Sequence, residues 1–384
     1  MEPFVIKVPE DELDDLQHRL ERTRWVQDFG NDDWRYGANT SYLRELVDYW
    51  RRDYDWRARE AEMNRYPHFR TTIENVPVHF LHIAGKGPNP KPLILNHGWP
   101  WTFWDYRKLL GPLSDPAAFG GDSKDAFTLI VPSLPGFGFS TPLVETGMNW
   151  ARTADLWVKL MRDVLGYDRF ASVGGDYGAF VTAQLGHKYV SQMIGCYVHL
   201  MAPLDMYEGG SIPLEDFGPG EEHWPAINEA FWKDEAGYYV LQATKPQTPA
   251  IGLNDSPAGL LAWLVEKRRT WSHSEGDVER RFTKDDLIDN AMIYWITQSY
   301  GTSARYYYEA VHQPWRPSHN RMPVVEAPTG LGLFTHDVVP RPRRWLERYY
   351  NVKQLRVHES GGHFAAMEEP DTLISDIRDF FKML

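Results

Sequence analysis

The stretch from Phe170 to Phe180 constrains the fold most, because it predicts a short buried strand, a glycine turn and a helix in immediate succession. Gly174, Asp176 and Gly178 fill the pattern small-x-nucleophile-x-small, which is typical of a sharp turn that holds a catalytic side chain proud of a sheet. An aspartate with an ordinary pKa of about 3.9 is ionised at neutral pH and needs no base to attack saturated carbon. The alternative, an ordinary turn in which Asp176 caps the helix, stays open on this stretch alone.

Composition excludes several classes of function. The chain has 384 residues, is 42% hydrophobic and carries a net charge of −12, so nucleic acid and anionic membrane surfaces are not expected partners. Residues Met1 to Pro9 have neither a basic segment nor a long apolar run, so no signal peptide or membrane anchor is predicted. The single cysteine, Cys196, lies in an apolar run and is expected to be a core thiol. These features favour a cytoplasmic protein.

Short apolar runs alternate with helical patterns in two parts of the chain. The predicted strands are Leu93–Leu95, Phe127–Val131, the strand before Asp176, Met193–Leu200, Gly330–Phe334 and Leu355–His358. Such alternation indicates an α/β fold with a mostly parallel sheet and helices on both faces, and with the turn at Asp176 it resembles the α/β-hydrolase fold.

Residues outside this alternation predict two additions to the sheet domain. Residues 1–90 are predicted to be an N-terminal extension that packs on the core, with helices from Glu10 and from about Thr40 and a hairpin over 69–83. Residues 204–322 lose the alternation and are predicted to be a helical lid. Residues 91–203 and 323–384 then form the two halves of the core.

A histidine and an acid are needed to hydrolyse an ester on Asp176. His363 follows the last predicted strand, and Asp337 follows the strand before it, so the chain order nucleophile, acid, histidine fits this fold. Asp337 is expected to orient the imidazole and stabilise its protonated form. Glu309 and Glu326 are weaker rivals for the acid, and a surface turn aspartate is the alternative interpretation of Asp337.

An oxyanion hole and a pocket are predicted around the same turn. The backbone amide of Tyr177 and that of Trp99, in the loop after Leu93–Leu95, are the expected donors to the ester carbonyl. Trp99, Tyr177 and Phe180 are expected to line an apolar pocket. The sequence shows no metal-ligand cluster, phosphate loop or nucleotide fingerprint, so no cofactor and no metal are predicted.

Several motifs together resemble the microsomal-type epoxide hydrolases over nearly the whole chain. They are the tryptophan-rich N-terminal segment, His97–Pro100, Gly174–Gly178, Gly237–Pro246 with Leu253–Pro257, and Gly361–Pro370. The resemblance implies two lid tyrosines that hydrogen-bond the epoxide oxygen, which match Tyr238 and Tyr307. Tyr306 and Tyr308 flank Tyr307, so the second tyrosine could instead be either of these neighbours, and this alternative stays open.

The chain departs from the animal members of that family in three ways. It has no N-terminal membrane helix, Tyr177 stands where tryptophan is usual, and Asp337 replaces a glutamate. Bacterial members include enzymes of enediyne biosynthesis and of detoxification, and the sequence does not choose between these pathways.

The predicted function is hydrolysis of an apolar or aryl epoxide to a vicinal diol. A covalent alkyl ester on Asp176 is formed first and is then hydrolysed by water that His363 and Asp337 activate. A haloalkane dehalogenase with the same nucleophile is the enzymatic alternative, and a non-catalytic, hydrolase-like binding protein is the other. The predicted partner is a small-molecule epoxide, without nucleic acid or membrane, and a homodimer is left open.

Overall fold

A nine-stranded sheet forms the centre of the molecule. The structure is a computed structural model that describes residues 1–209 and 212–384. The strands in chain order are β1 (Glu2–Phe4), β2 (His68–Ile73), β3 (Val76–Ile83), β4 (Lys91–Asn96), β5 (Phe127–Pro132), β6 (Phe170–Gly174), β7 (Met193–Val198), β8 (Val325–Phe334) and β9 (Tyr350–His358). They lie in the order β1-β2-β3-β5-β4-β6-β7-β8-β9.

The six strands from β5 to β9 in the spatial order are parallel, and β1 to β3 extend the sheet as an antiparallel edge. Register aligns the carboxyl ends of the central strands: Asn96 pairs with Gly174, and Gly174 pairs with Val198. At the far side, Phe334 pairs with His358. The loops that follow β4, β6, β8 and β9 therefore leave the sheet along one edge, where ligands bind in open parallel sheets.

Helices cover the sheet and build the segment between β7 and β8. They are α1 (Glu10–Glu21), α2 (Thr40–Arg52), α3 (Trp56–Met63), α4 (Arg107–Ser114), α5 (Trp150–Lys159), α6 (Tyr177–Lys188), α7 (Trp224–Ala230), α8 (Gly237–Thr244), α9 (Gln247–Asp255), α10 (Pro257–Thr270), α11 (Lys284–Ile296), α12 (Tyr300–His312), α13 (Arg343–Tyr349), α14 (Ala365–Glu368) and α15 (Pro370–Lys382). The α/β fold with a mostly parallel sheet, predicted from the alternation of strands and helices, is confirmed.

Local sequence explains where these elements begin and end. The side chain of Asn149 accepts hydrogen bonds from the amides of Ala151 and Arg152, which caps the start of α5. Its buried residues, including Leu156 and Trp157, recur at helical spacing and pack on the core. α6 differs because its residues from Tyr177 to His187 are all buried, so neighbouring elements enclose it on every side.

The N-terminal residues attach to the lid helices as well as to the sheet. Tyr49 and Tyr54 donate hydrogen bonds to Asp285 and Asp289 of α11, at 2.9 and 2.7 Å. Strands β1 to β3 belong to the main sheet, so the first ninety residues are continuous with the core. The division of the chain at residues 90, 203 and 322 into an N-terminal extension, two core halves and a lid stays a prediction.

Most predicted elements are present, and three details differ. β8 begins at Val325, so Glu326 lies inside the strand and not before it. The sequence from Trp101 to Leu110 predicts a further helix, but the segment begins with a tight turn at Phe103–Tyr106 and becomes α-helical only at Arg107. β1 and α3 had no counterpart in the sequence analysis. Over residues 1–209 and 212–384, no helix is both long and apolar enough to cross a membrane.

Candidate active site

Asp176 lies at the apex of the turn between β6 and α6, with φ 52° and ψ −128°. This conformation is unfavourable for a residue with a side chain, by about 1–3 kcal/mol, and requires tight packing to persist. The flanking glycines permit it. A Cβ atom at Gly178 would overlap the carbonyl of Asn96, and one at Gly174 would overlap the carbonyl of Gly178. Only glycine therefore lets α6 approach β4 and β6 so closely that the side chain of Asp176 projects beyond the edge of the sheet.

Both carboxylate oxygens of Asp176 have a neighbour. The backbone N–H of Trp99 donates to Oδ1 at 2.7 Å. Nε2 of His363 lies 3.4 Å from Oδ2. Gly98 is required here as well, because a Cβ at that position would overlap the carboxylate. The loop after β4 thus delivers a backbone donor to the nucleophile predicted from sequence.

His363 and Asp337 form a hydrogen-bonded pair beside this carboxylate. Nδ1 of His363 lies 2.8 Å from Oδ1 of Asp337, and the amide of Val338 donates to the same oxygen at 2.7 Å. The backbone N–H of His363 donates to the carbonyl of Trp271, which fixes the loop. Burial by itself lowers the pKa of His363, but the carboxylates of Asp337 and Asp176 outweigh it and raise the pKa to about 10. The imidazole is therefore protonated at neutral pH.

The two tyrosines implied by the resemblance face the same cavity from different lid helices. Tyr238 comes from α8 and Tyr307 from α12, and their ring centroids are 5.8 Å apart. The Tyr238 ring stacks on the indole of Trp99 at 5.0 Å, and the Tyr307 ring meets Tyr177 edge-on at 4.7 Å. Burial raises the pKa of both phenols well above the usual value, so both are neutral hydrogen-bond donors.

The neighbours of Tyr307 in α12 are engaged elsewhere. The hydroxyl of Tyr306 lies 2.6 Å from Oγ1 of Thr153, outside the cavity. Tyr308 is 38% exposed and stacks on His312. The geometry thus favours Tyr307 over the one-residue slip that the sequence left open.

Comparison with known proteins assigns the chain to a family. Residues 1–106 match the family model described as epoxide hydrolase N terminus, and residues 91–370 match the alpha/beta hydrolase fold. A putative epoxide hydrolase of Stigmatella aurantiaca is 40% identical over 100% of this chain and 85% of its own length. The chain belongs to the epoxide hydrolases.

Two further relatives extend this result to animals. Epoxide hydrolase 1 of Oryctolagus cuniculus is 35% identical over 98% of this chain and 88% of its own length. The crystal structure of juvenile hormone epoxide hydrolase from the silkworm Bombyx mori has a TM-score of 0.87 and 30% identity, and covers 100% of this chain and 94% of that one. The resemblance stated from sequence motifs is thereby confirmed, and the substrate of this epoxide hydrolase is a small-molecule epoxide.

The cavity beside Asp176 in this epoxide hydrolase is small and mostly aromatic. It has a volume of about 50 Å³, which is room for only about one or two water molecules. Tyr177 and Phe180 line it as predicted. The ring of Trp99 lies behind Tyr238 and Tyr307 and is fully buried, so its contribution at the cavity is its backbone amide.

Many other lining residues were missed by sequence reasoning. They are Leu200, Ala202, Met206, Tyr207, Phe231, Trp232, Tyr239, Trp271, Val338, Val339 and Arg341. They come from the loop after β7, from three parts of the lid and from the loop after β8. Only Val338, Val339 and Arg341 could have been found from the sequence, because they lie within four positions after the predicted acid Asp337.

The rival acids lie away from the histidine. Glu326 pairs with Arg321 at 2.7 Å, and Glu309 accepts a hydrogen bond from Gln313 at 2.6 Å. In the part of the chain that the structure describes, no three His, Cys, Asp or Glu side chains are grouped so that they could hold a metal ion. Asp337 is thus the acid whose geometry fits the role predicted for it.

Proposed function

We propose that this epoxide hydrolase opens an apolar or aryl epoxide to a vicinal diol through a covalent alkyl ester on Asp176. The observation that carries the proposal is the convergence of Asp176, His363, Tyr238 and Tyr307 on one cavity. A carboxylate nucleophile, a basic nitrogen and two neutral donors are the groups that a two-step hydrolysis of a strained ether requires.

In the first step, one oxygen of Asp176 attacks a ring carbon of the epoxide. A bond forms between that oxygen and the carbon, and the bond from the carbon to the ring oxygen breaks. Negative charge develops on the ring oxygen, and the hydroxyls of Tyr238 and Tyr307 donate hydrogen bonds to it. The amide of Trp99 already holds the carboxylate at 2.7 Å, so the attack begins from an ordered nucleophile.

Formation of the ester changes the charge around His363. The carboxylate of Asp176 is one of the two groups that raise the pKa of this imidazole to about 10, and an ester carries no charge. Burial, which lowers the pKa of His363, is then opposed by Asp337 alone. The imidazole therefore gives its proton to the alkoxide, which becomes the first hydroxyl of the diol, and His363 is left neutral and able to act as a base only after the ring has opened.

In the second step, His363 removes a proton from water, and the hydroxide attacks the ester carbonyl carbon. The oxyanion that forms is held by the Trp99 amide, together with the amide of Tyr177 at the start of α6. The bond from the carbonyl carbon to the alkyl oxygen breaks, and the alkyl oxygen takes the proton of the added hydroxyl and leaves as the second hydroxyl of the diol. The Asp176 carboxylate is thereby restored beside the protonated His363. Asp337 stabilises the imidazolium through the 2.8 Å contact with Nδ1.

A turnover panel tests this proposal. Styrene oxide, aliphatic epoxides and haloalkanes are offered to the enzyme, and diol and halide release are measured separately. We expect diol from epoxides, most rapidly from aryl substrates, because the cavity is lined by aromatic side chains. Halide release without diol formation would instead establish the dehalogenase alternative.

A further inference from the structure

Arg341 is a charged side chain in the wall of a cavity that is otherwise mostly apolar and aromatic. It belongs to the loop that follows β8 and lies four positions after Asp337 in the chain. Arg341 lines the catalytic cavity together with Val338 and Val339 of the same loop, and the cavity also contains Asp176. The residue is only 8% exposed, so its guanidinium is enclosed by protein.

The guanidinium has few partners for a buried charge. Its Nε donates to the carbonyl of Met201 at 3.1 Å. Within residues 1–209 and 212–384, neither terminal nitrogen donates a hydrogen bond, and no carboxylate lies within ion-pairing distance. Arg268 shows the contrast: it is 3% exposed and forms an ion pair with Asp105 at 2.6 Å. Buried arginines are ordinarily paired in this way.

Arg341 keeps its charge despite burial. Burial lowers its pKa to about 10, so it is protonated at neutral pH. The nearby acidic groups are the phenol of Tyr350 and the carboxylate of Asp337, and Asp337 already accepts hydrogen bonds from His363 and Val338. The two terminal nitrogens of Arg341 thus keep unused hydrogen-bonding capacity in a residue that lines the cavity.

We propose that Arg341 forms an oxyanion subsite of the catalytic cavity, and that this enzyme prefers epoxides that carry a carboxylate away from the ring. The inference rests on the proposed function, since it places the epoxide at Asp176. A carboxylate accepts two parallel hydrogen bonds from a guanidinium, which restores the pairing that Arg341 lacks in the protein. Leu200, Ala202, Val338 and Val339 offer apolar contact to the body of such a substrate.

Paired substrates test the subsite. Terminal epoxides with a carboxylate at the far end of alkyl chains of increasing length are compared with uncharged epoxyalkanes of the same lengths. For at least one chain length, we expect kcat/KM of the wild type to favour the acid at least tenfold, mainly through KM. Arg341→Met should remove this preference, measured as the ratio of kcat/KM for the acid to kcat/KM for the uncharged epoxide of the same length, and Arg341→Lys should restore part of it.

Arg344→Met is the matched control, because Arg344 is an exposed arginine of the same segment and its loss changes the net charge equally. An acid preference that falls as much in this control as in Arg341→Met would reflect overall charge and overturn the subsite. An equal loss of activity toward acids and uncharged epoxides in Arg341→Met, with kcat reduced, would assign the arginine to support of Asp337 instead.

A binding measurement separates failure of the subsite from failure of the proposed function. Titration calorimetry compares binding of the carboxylate-bearing diol with binding of the uncharged diol of the same chain length. The preferred chain length is used, and if no epoxide is turned over, every chain length is measured. We expect the acid to bind the wild type at least tenfold more tightly than it binds Arg341→Met. Diol release from uncharged epoxides without any acid preference or binding would overturn the subsite alone. Binding of the acid diol without turnover of any epoxide would overturn the proposed function and leave the subsite standing.

Discussion

At the scale of single residues, the two tyrosines have the most specific expected effect. Tyr238→Phe and Tyr307→Phe each remove one donor from the developing alkoxide and leave the rings in place. Losing one such donor lowers kcat about 10²–10³-fold in comparable oxyanion sites, so we expect a decrease of up to that size. Single-turnover ester formation measures it. Tyr308→Phe is the control, since Tyr308 is partly exposed and stacks on His312, and unchanged rates in all three variants would exclude the proposed role.

The raised pKa of His363 predicts a pH dependence of stability. The folded protein holds this proton up to a pH of about 10, whereas an unfolded histidine releases it near 6.5. The stabilisation is therefore complete below pH 6.5 and is lost as the pH rises toward 10. Between these values, the unfolding free energy of the wild type should fall by about 1.4 kcal/mol per pH unit relative to His363→Gln.

Urea denaturation of both proteins between pH 6 and 10 measures this difference, with pH points spaced across the window. Parallel curves for the two proteins would mean that His363 is neutral in the resting enzyme. The charge coupling between ester formation and base activation would then lose its support.

At the scale of elements, the turn between β6 and α6 depends on close approach of backbone to backbone. Gly178→Ala places a Cβ against the carbonyl of Asn96, and neither backbone can yield without displacing β4. We expect destabilisation by about 3 kcal/mol or more, read by urea denaturation. Gly252→Ala in α9 is the control, because nothing lies within 4 Å of the added atom and a gain of about 0.4–1 kcal/mol is expected. Equal stability of the two variants would contradict this account of the turn.

The same element shows how much the sequence can predict. The strand, the turn and Asp176 follow from local patterns, because glycine spacing and apolar runs act over a few residues. The places of Asp337 and His363 follow from chain order, since loops after parallel strands meet at one edge. The choice among Tyr306, Tyr307 and Tyr308 does not, because it depends on how α12 is rotated against Thr153 and Tyr177.

The wall of the cavity was the part least accessible to sequence reasoning. Leu200, Phe231 and Trp271 lie in distant parts of the chain and meet only in the folded protein. The local sequence around each of them is that of an ordinary apolar or aromatic residue. β1 was missed for a related reason: it has only three residues and is defined by its pairing with β2.

At the scale of the whole molecule, two tyrosine–carboxylate hydrogen bonds join the N-terminal region to α11, and the two acceptor aspartates differ in how deeply they are buried. Asp289, the partner of Tyr54, is 2% exposed, whereas the side chain of Asp285, the partner of Tyr49, is 34% exposed. Burial raises the pKa of Asp289 to about 6, so it is charged at pH 8. At that pH we expect Tyr54→Phe to lower the unfolding free energy by about 1.5–3 kcal/mol.

Tyr49→Phe is the comparison, and we expect it to cost about 1 kcal/mol or less, since water can solvate the exposed carboxylate that it leaves. Denaturation of both variants at pH 8 provides the test. A larger loss in Tyr49→Phe than in Tyr54→Phe would show that burial of the acceptor does not govern this interface.

The mass of the His363→Gln variant after exposure to styrene oxide tests the central claim most directly. Carboxylate attack does not need the imidazole, whereas hydrolysis of the ester does, so the intermediate should accumulate. The account predicts an intact protein heavier by one whole epoxide, with the adduct on the peptide that contains Asp176, and no adduct when Asp176→Asn is added. An adduct on another residue, or full turnover without His363, would contradict it.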